Sequence, residues 1–267
     1  MPFTRTIALA LALGIAPAAR GAEPPPVPLR YDLALDASIA GGFALTSVLF
    51  QVFQSKMVPS KCRWCAPNGV DAWVRNELVW NDRFRTADVL SSVIAMGIVP
   101  VSAVGYLILS AHGRGDTSAG LVDSLLVVEA ASVALLLNQT VKLLVGRQRP
   151  YAYYGHDVGA AASEANLSFF GGHTSFAFSV VAATVTLASM RGYSDTAAVA
   201  WVGCALGAAV FYLRLAADLH YLSDSLVGAA VGGFVGWAIP HFFHSPEPGP
   251  PQPGALRVVP GGLAIFF

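Results

Sequence analysis

The fold is decided by long apolar runs such as residues 119–145, AGLVDSLLVVEAASVALLLNQTVKLLV. Only Asp123, Glu129 and Lys142 bring charge into this run. As a helix it exceeds the roughly 20 residues that cross the hydrocarbon core of a bilayer. Backbone polar groups in lipid must be satisfied within their own segment, so the run has to be helical. We therefore expect a membrane-spanning α-helix here.

Five further runs have the same character, at residues 33–53, 87–111, 176–190, 196–213 and 225–242. The chain has 267 residues, of which 55% are hydrophobic and only 12% are charged, whereas soluble domains carry roughly 25% charged residues. The predicted fold class is all-α, a polytopic membrane helical bundle of about six spans. Gly228, Gly232 and Gly236 lie four residues apart, a spacing that favours close helix packing. The formal net charge of zero gives no support to a nucleic-acid partner.

The two ends of the chain differ from this pattern. Residues 1–22 resemble a signal peptide, with Arg5 before an apolar centre and small residues at positions 16–18. The alternatives are an uncleaved anchor or a first helix. Residues 245–267 begin with a Pro/Gly-rich stretch and end in weak alternation, which predicts an irregular or β-like tail, such as a short strand or hairpin.

Three cysteines are present. Cys204 lies within an apolar run, and we expect it to be a small buried hydrophobe. Cys62 and Cys65 form a C-x-x-C motif in the polar loop after the first run. A metal site would require further Cys or His ligands nearby, so a local disulfide in an oxidising compartment is favoured over metal or redox chemistry.

Polar side chains cluster at the ends of the last four runs. They supply three cations, two imidazoles and one carboxylate: Lys142, Arg149, Arg214, His173, His220 and Asp224. In an antiparallel bundle these run ends share one membrane face, so distant segments deliver their polar groups to one place. A single basic residue at a helix end often only reaches lipid headgroups, but charged groups at membrane depth are costly and usually functional. The combination predicts a phosphate-binding site.

Local spacing supports this prediction. The glycines before His173 leave N–H groups unshielded at a helix start, where a phosphate oxygen binds well, so the Gly172 amide is a candidate ligand. Asp224 follows His220 by one helical turn. Its carboxylate can therefore hold one imidazole nitrogen and leave the other as a nucleophile.

Three motifs carry a family resemblance: Lys142, six residues and Arg149-Pro150; residues 170–174, FGGHT; and Arg214, five residues, His220, three residues and Asp224. They resemble the signature of the type-2 phosphatidic acid phosphatase superfamily, which includes lipid phosphate phosphatases and vanadium haloperoxidases. The six runs resemble its integral-membrane bacterial branch. The motifs cover residues 142–224, within a phosphatase domain that we expect at residues 23–244.

The resemblance implies an enzyme that hydrolyses phosphomonoester or pyrophosphate groups of lipids without a metal or other cofactor. His220 would attack phosphorus to form a phosphohistidine, Asp224 would orient it, and His173 would protonate the leaving group. The phosphate oxygens would be bound by Lys142, Arg149, Arg214 and the Gly172 amide. The implied partners are the bilayer and a phospholipid or polyprenyl phosphate substrate. The oligomeric state is left undefined.

Two positions depart from the family pattern. Gly171 stands where the family usually has a serine, and Leu213 where a serine usually precedes the arginine. Losing a donor to a developing oxyanion costs about 10²–10³ in rate, unless Thr174 or water replaces it, so we expect a slower enzyme. The alternatives are a lipid phosphotransferase of the same architecture, or a non-catalytic phospholipid-binding protein weakened by Gly171.

The remaining polar residues receive structural interpretations. Glu129 lies mid-span and either lines a polar path or pairs within the bundle with Asn138 or Gln139. His156 belongs to a predicted solvated loop, and Asp218 to the surface.

The location implied by the resemblance is the bacterial inner membrane, crossed several times, with the active site facing the periplasm. A cleaved signal peptide would instead place the N-terminus outside and the site, three spans later, inside. The basic loop at residues 54–86 also favours the inside, whereas a disulfide favours the outside. The conflict disappears if residues 33–53 lie only on or partly within the membrane, or if the N-terminal run does not export the chain.

Overall fold

The computed structural model describes residues 24–247 and the backbones of two short strands, β1 (Leu256–Val259) and β2 (Gly262–Ile265). The predicted all-α membrane bundle is confirmed. Six helical segments are long and apolar enough to cross a membrane: Leu33–Met57, Phe84–Gly113, Thr117–Val145, Gly172–Met190, Thr196–Ala216 and Leu222–Phe243. The protein is therefore a multi-pass membrane protein, and each predicted run lies within one of these segments.

The helices are α1 (Leu33–Met57), α2 (Gly69–Leu78), α3 (Phe84–Val93), α4 (Val99–Gly113), α5 (Thr117–Val145), α6 (Pro150–Tyr154), α7 (Gly172–Met190), α8 (Thr196–Ala216) and α9 (Leu222–Phe243). A π-helical turn at Ile94–Ile98 joins α3 to α4 into one long segment, and Ala162–Glu164 forms a 3₁₀ turn.

Successive spans run in opposite directions. The ends of α1, α5 and α8 meet the starts of α3, α7 and α9 at one side of the bundle, here called the site face. The start of α1 and the end of α9 lie at the opposite face, where Leu29 forms an isolated bridge with Pro246. Because α1 ends at the site face, the described N-terminal segment lies on the other side of the bundle from the site.

Close packing of α7 against α9 depends on glycine. A Cβ atom at Gly232 or Gly236 would overlap the backbone carbonyl oxygens of Ser175 and Ser179, respectively. At Gly228 it would lie 2.5 Å from the carbonyl oxygen of Gly171. The predicted small-residue packing face is thus confirmed, and it brings the start of α9 against the start of α7.

The loop between α1 and α2 covers the site face. A disulfide joins Cys62 to Cys65 in this loop. The Arg63 amide donates to the Gly146 carbonyl at 3.0 Å, and its guanidinium donates to the Leu144 carbonyl at 2.6 Å. Gly146 ends α5 in the left-handed region, with φ of 59°. The loop therefore satisfies carbonyl groups that the end of α5 leaves open.

The predictions for Cys204 and for the C-terminal tail have different outcomes. Cys204 is exposed on the surface of α8, because that helix presents one side to lipid, so the prediction of a buried residue was wrong. In the C-terminal tail, β1 and β2 pair as an antiparallel hairpin with Leu256 opposite Ile265, which is the β-like structure predicted for residues 245–267. The predicted signal peptide, residues 1–22, lies outside the described residues.

Candidate active site

Five of the predicted residues line one cavity of about 170 Å³ at the site face: Lys142, Arg149, Gly172, His173 and Arg214. They come from the end of α5, the loop before α6, the start of α7 and the end of α8. A second cavity, of about 270 Å³, lies between α4, α7 and α8, and its lining contains no cation or histidine. The chemistry predicted from the sequence therefore belongs to the smaller cavity.

His220 stands in the loop between α8 and α9 and is only 1% exposed. Its Nδ1 lies 2.8 Å from the Ser168 carbonyl oxygen. Because a carbonyl accepts only, Nδ1 carries the proton and Nε2 keeps its lone pair. Nε2 has no hydrogen-bond partner among the described residues. Burial, followed by the positive charges of Arg149, Lys142 and Arg214, lowers the pKa of His220 well below its usual range, which favours the neutral imidazole.

Asp224 does not make the hydrogen bond to His220 that the spacing predicts. Its Oδ2 lies 3.9 Å from His220 Nδ1, because the Ser168 carbonyl takes that position. Oδ2 instead accepts from the Ser168 hydroxyl at 2.5 Å and from the Tyr221 amide at 2.9 Å. Asp224 therefore contacts the hydroxyl of Ser168, the residue whose carbonyl holds His220, and not His220 itself.

Arg147, which the sequence analysis did not single out, holds Asp224 in place. It is 1% exposed and donates to Asp224 at 2.5 Å and to Asp71 of α2 at 2.7 Å. Its guanidinium carbon lies 3.7 Å from the centre of the Trp64 ring. This buried cation therefore joins the covering loop and α2 to the start of α9.

Two of the predicted phosphate-binding cations contact carboxylates. Arg214 donates to Asp88 of α3 at 2.6 Å, while its Nε has no hydrogen-bond partner within the described chain. Arg149 lies 3.4 Å from a carboxylate oxygen of Glu164 and donates to the Glu164 backbone carbonyl at 3.0 Å. Asp88 and Glu164 are partly exposed, so they hold the arginines at the cavity rim in positions that a phosphate can share.

Lys142 lies directly over the start of α7. A Cβ atom at Gly172 would come within 3.3 Å of Lys142 Nζ and 2.7 Å of Asn138 Oδ1. Asn138 in turn donates to the Phe170 carbonyl at 2.7 Å. Glycine at residue 172 therefore allows the lysine and the start of α7 to approach each other. Asn138 fixes that approach, so it does not pair with Glu129.

His173 is the second residue of α7 and is partly buried. Its Nε2 lies 3.3 Å from the Ser92 hydroxyl of α3. The helix start supplies a favourable environment for an anion, and the Ser92 contact orients the ring toward the cavity that Lys142 and Arg214 also line.

The loop that carries His220 is clamped by a second buried network. Asp218 is completely buried, and Arg75 of α2 binds both of its carboxylate oxygens, at 2.7 and 2.8 Å. His156 Nδ1 lies 2.9 Å from Asp218 Oδ2, and its ring stacks on Phe84. The expectation of a surface Asp218 was therefore wrong, whereas His156, expected in a solvated loop, keeps 33% of its side chain exposed. Both residues position the backbone two residues before His220.

A family model of the PAP2 superfamily matches residues 123–247, which contain all three motifs. Over these residues the chain is similar to the PAP2 superfamily. The family resemblance expected from the sequence is thereby confirmed. This match, together with the six spans, supports a phosphatase-type enzyme in a membrane.

One solved structure to which the chain is similar is the first transmembrane PAP2 type phosphatidylglycerolphosphate phosphatase from Bacillus subtilis. It is 15% identical, with a TM-score of 0.44, and the alignment covers 79% of this chain and 92% of that one. No curated protein matches the chain.

Proposed function

We propose that the protein is a membrane-embedded, metal-independent phosphatase that hydrolyses phosphomonoester or pyrophosphate groups of lipids through a phosphohistidine. The observation that carries this proposal is the environment of His220. Its Nε2 is buried and has no hydrogen-bond partner in the described chain. Burial and the positive charges of Arg149, Lys142 and Arg214 disfavour protonation of the ring. A neutral imidazole next to three cations suits attack on a bound dianion. The catalytic domain is residues 23–244.

The reaction begins when a phosphate is bound by Lys142, Arg149 and Arg214, whose charges stabilise the equatorial oxygens of the transition state. His220 Nε2 attacks phosphorus in line, forming an N–P bond as the bond to the leaving oxygen breaks. The Ser168 carbonyl holds the Nδ1 proton, and the negative charge of Asp224, 3.9 Å away, stabilises the positive imidazole.

His173 completes the cycle. It donates a proton to the leaving oxygen and thereby becomes able to accept one from water. That water attacks the phosphohistidine, the N–P bond breaks, and inorganic phosphate leaves with His220 neutral again. The Ser92 contact at 3.3 Å keeps the His173 ring oriented during both proton transfers.

The lining of the cavity supports a lipid substrate. Next to the cations it contains the amide side chains of Gln51, Gln54 and Gln139, and then apolar residues of two membrane spans, Met96 and Leu135. A headgroup with hydrogen-bonding atoms suits the amides, and an acyl or prenyl chain suits the apolar residues. We infer that phosphatidic acids and polyprenyl phosphates are the substrate classes.

We further propose that the site faces the periplasm of a bacterial inner membrane. The disulfide between Cys62 and Cys65 covers the site face, and disulfides persist in oxidising compartments. Helix α1 has 25 residues and qualifies as a span, so a partly inserted α1 does not explain the orientation. A periplasmic site then requires that residues 1–22 do not export the described N-terminal segment.

The proposal is tested by phosphate release from short-chain phosphatidic acid in detergent with EDTA. We expect turnover by the parent protein and by a His112→Ala control, which changes an exposed histidine at the end of α4, and none by His220→Ala. His173→Ala should lose far more activity on phosphatidic acid than on 4-nitrophenyl phosphate, whose leaving group needs no proton.

Other outcomes would identify a different function. Lipid binding without turnover in the parent protein would show a phospholipid-binding protein. A phosphorylated acceptor lipid without free phosphate would show a phosphotransferase. Activity in His220→Ala would contradict the proposed nucleophile.

A further inference from the structure

Three buried side chains that could ligate a metal meet near the face opposite the active site. Asp36 comes from the first turn of α1, Glu129 from the middle of α5, and His244 from the residue after α9. Their exposed fractions are 4%, 4% and 3%. One ligand atom of each lies within 4.8 Å of the other two. Glu129 and Lys142 are 13 residues apart on α5, or about 20 Å along the helix, so this cluster is separate from the phosphate site.

Two atoms of the cluster face each other without a hydrogen bond. His244 Nε2 lies 3.3 Å from Glu129 Oε2, yet neither atom has a hydrogen-bond partner among the described residues. His244 Nδ1 lies 3.2 Å from the Arg30 carbonyl oxygen, to which it donates, so a neutral ring directs its Nε2 lone pair toward the carboxylate. Two lone pairs facing each other in an apolar interior repel, and a cation between them removes that cost.

The chemistry of the ligands points to a transition-metal ion. A histidine nitrogen with two carboxylate oxygens forms a three-ligand zinc site, to which water adds a fourth ligand. The backbone carbonyl on His244 Nδ1 is the usual second partner of a metal-bound histidine. Mg²⁺ and Ca²⁺ prefer more ligands, all of them oxygen. At zinc distances of about 2.0–2.2 Å, tetrahedral ligand atoms lie about 3.3–3.6 Å apart, which the Glu129–His244 pair, at 3.3 Å, already satisfies.

We propose that Asp36, Glu129 and His244 bind one Zn²⁺ ion that fastens α1, α5 and the end of α9 together. The surrounding backbone fits this role. The Arg30 amide donates to the Ser245 carbonyl at 3.2 Å, and the Glu247 amide donates to the Pro28 carbonyl at 3.0 Å. The segment before α1 therefore lies along the chain leaving α9 and covers the cluster. The ion is structural and takes no part in phosphate chemistry.

The test uses tag-free, full-length protein purified in detergent, with metal content measured by mass spectrometry. We expect about one zinc per chain, loss of zinc and a fall in Tm of several degrees after chelation, and recovery with Zn²⁺ but not with Mg²⁺. Glu129→Gln and His244→Ala should each lower zinc affinity by at least about tenfold and be purified with less zinc, because each removes one of three ligands. His241→Ala, an exposed histidine one turn earlier, is the matched control and should keep its zinc.

The outcomes separate this proposal from the phosphatase proposal. His220→Ala should retain zinc while losing turnover, and the zinc-depleted parent should still turn over at a temperature where it is folded. Parent protein that binds no zinc, with a Tm unaffected by chelation and by added zinc, overturns the site and leaves a proton shared by His244 and Glu129 as the occupant. If Glu129→Gln does not fold, the chelation measurement on the parent protein still decides.

Discussion

Replacing Gly172 with alanine tests how closely the cations must approach the start of α7. The new Cβ would lie 2.7 Å from Asn138 Oδ1, a separation that Cβ atoms do not adopt, and 3.3 Å from Lys142 Nζ. Asn138 must therefore withdraw, which breaks its 2.7 Å hydrogen bond to the Phe170 carbonyl, and Lys142 must give way by a few tenths of an ångström. A displacement of about 1 Å in a positioning group costs about 100-fold in rate, or about 2.7 kcal/mol of transition-state stabilisation.

The effect of Gly172→Ala on folding should be smaller than its effect on turnover. An unsatisfied buried group lowers the free energy of unfolding by about 1–3 kcal/mol. Alanine in place of glycine in a helix raises it by up to about 1 kcal/mol. We therefore expect a change of about 0–2 kcal/mol in unfolding free energy. Thermal unfolding and kcat/KM for phosphatidic acid, measured on the same preparation, separate the two effects.

Gly171 provides the matched control. A Cβ atom at residue 171 would meet nothing closer than 3.4 Å, so Gly171→Ala should keep turnover within about threefold, as expected for an ordinary contact. Gly171→Ser supplies the hydroxyl that the family usually has, and we expect it to raise turnover. Unchanged turnover would show that the hydroxyl is dispensable. Equal losses in Gly171→Ala and Gly172→Ala, or none in the latter, would refute the argument about Lys142 and Asn138.

Three further results are expected. Arg147→Ala leaves Asp71 and Asp224 as unpaired buried charges, so denaturant unfolding should show a loss of about 3–5 kcal/mol; a loss below about 1 kcal/mol would contradict the clamp. Because the pKa of His220 is lowered, its folded form stays neutral as pH falls through the usual histidine range. The ascending limb of kcat/KM should therefore lie at lower pH, while stability declines with acid as the unfolded histidine takes up the proton. Tyr153→Cys in a Cys204→Ser background should react with a membrane-impermeant thiol reagent in intact spheroplasts; labelling only after lysis would place the site inside.

Membrane physics made most of the fold predictable. An apolar run longer than the hydrocarbon core has few alternatives to a spanning helix, so all six spans were located. Glycine spacing also predicted the contact between α7 and α9. The short helices α2 and α6 were missed because they are too short to carry such a constraint. Cys204 was misplaced because apolar residues face lipid as readily as the core.

The candidate site was predictable in its residue types but incompletely in its contacts. The four-residue spacing predicted a hydrogen bond between His220 and Asp224. Tertiary packing instead places the Ser168 carbonyl at His220 Nδ1. Arg147 lies between two motif residues in the sequence, but nothing local indicated that its partners are 76 and 77 positions away. Long-range pairs of this kind are set by how the helices pack, which no periodicity reveals.

His220 receives the phosphoryl group in the proposed mechanism, and trapping that intermediate tests the mechanism most directly. Protein mixed with ³²P-labelled short-chain phosphatidic acid and quenched within milliseconds should carry an acid-labile, base-stable label on the peptide that contains His220. The label should be absent from His220→Ala and should disappear as free phosphate is formed. Turnover at the parent rate without label on that peptide, or label retained in His220→Ala, would contradict the mechanism.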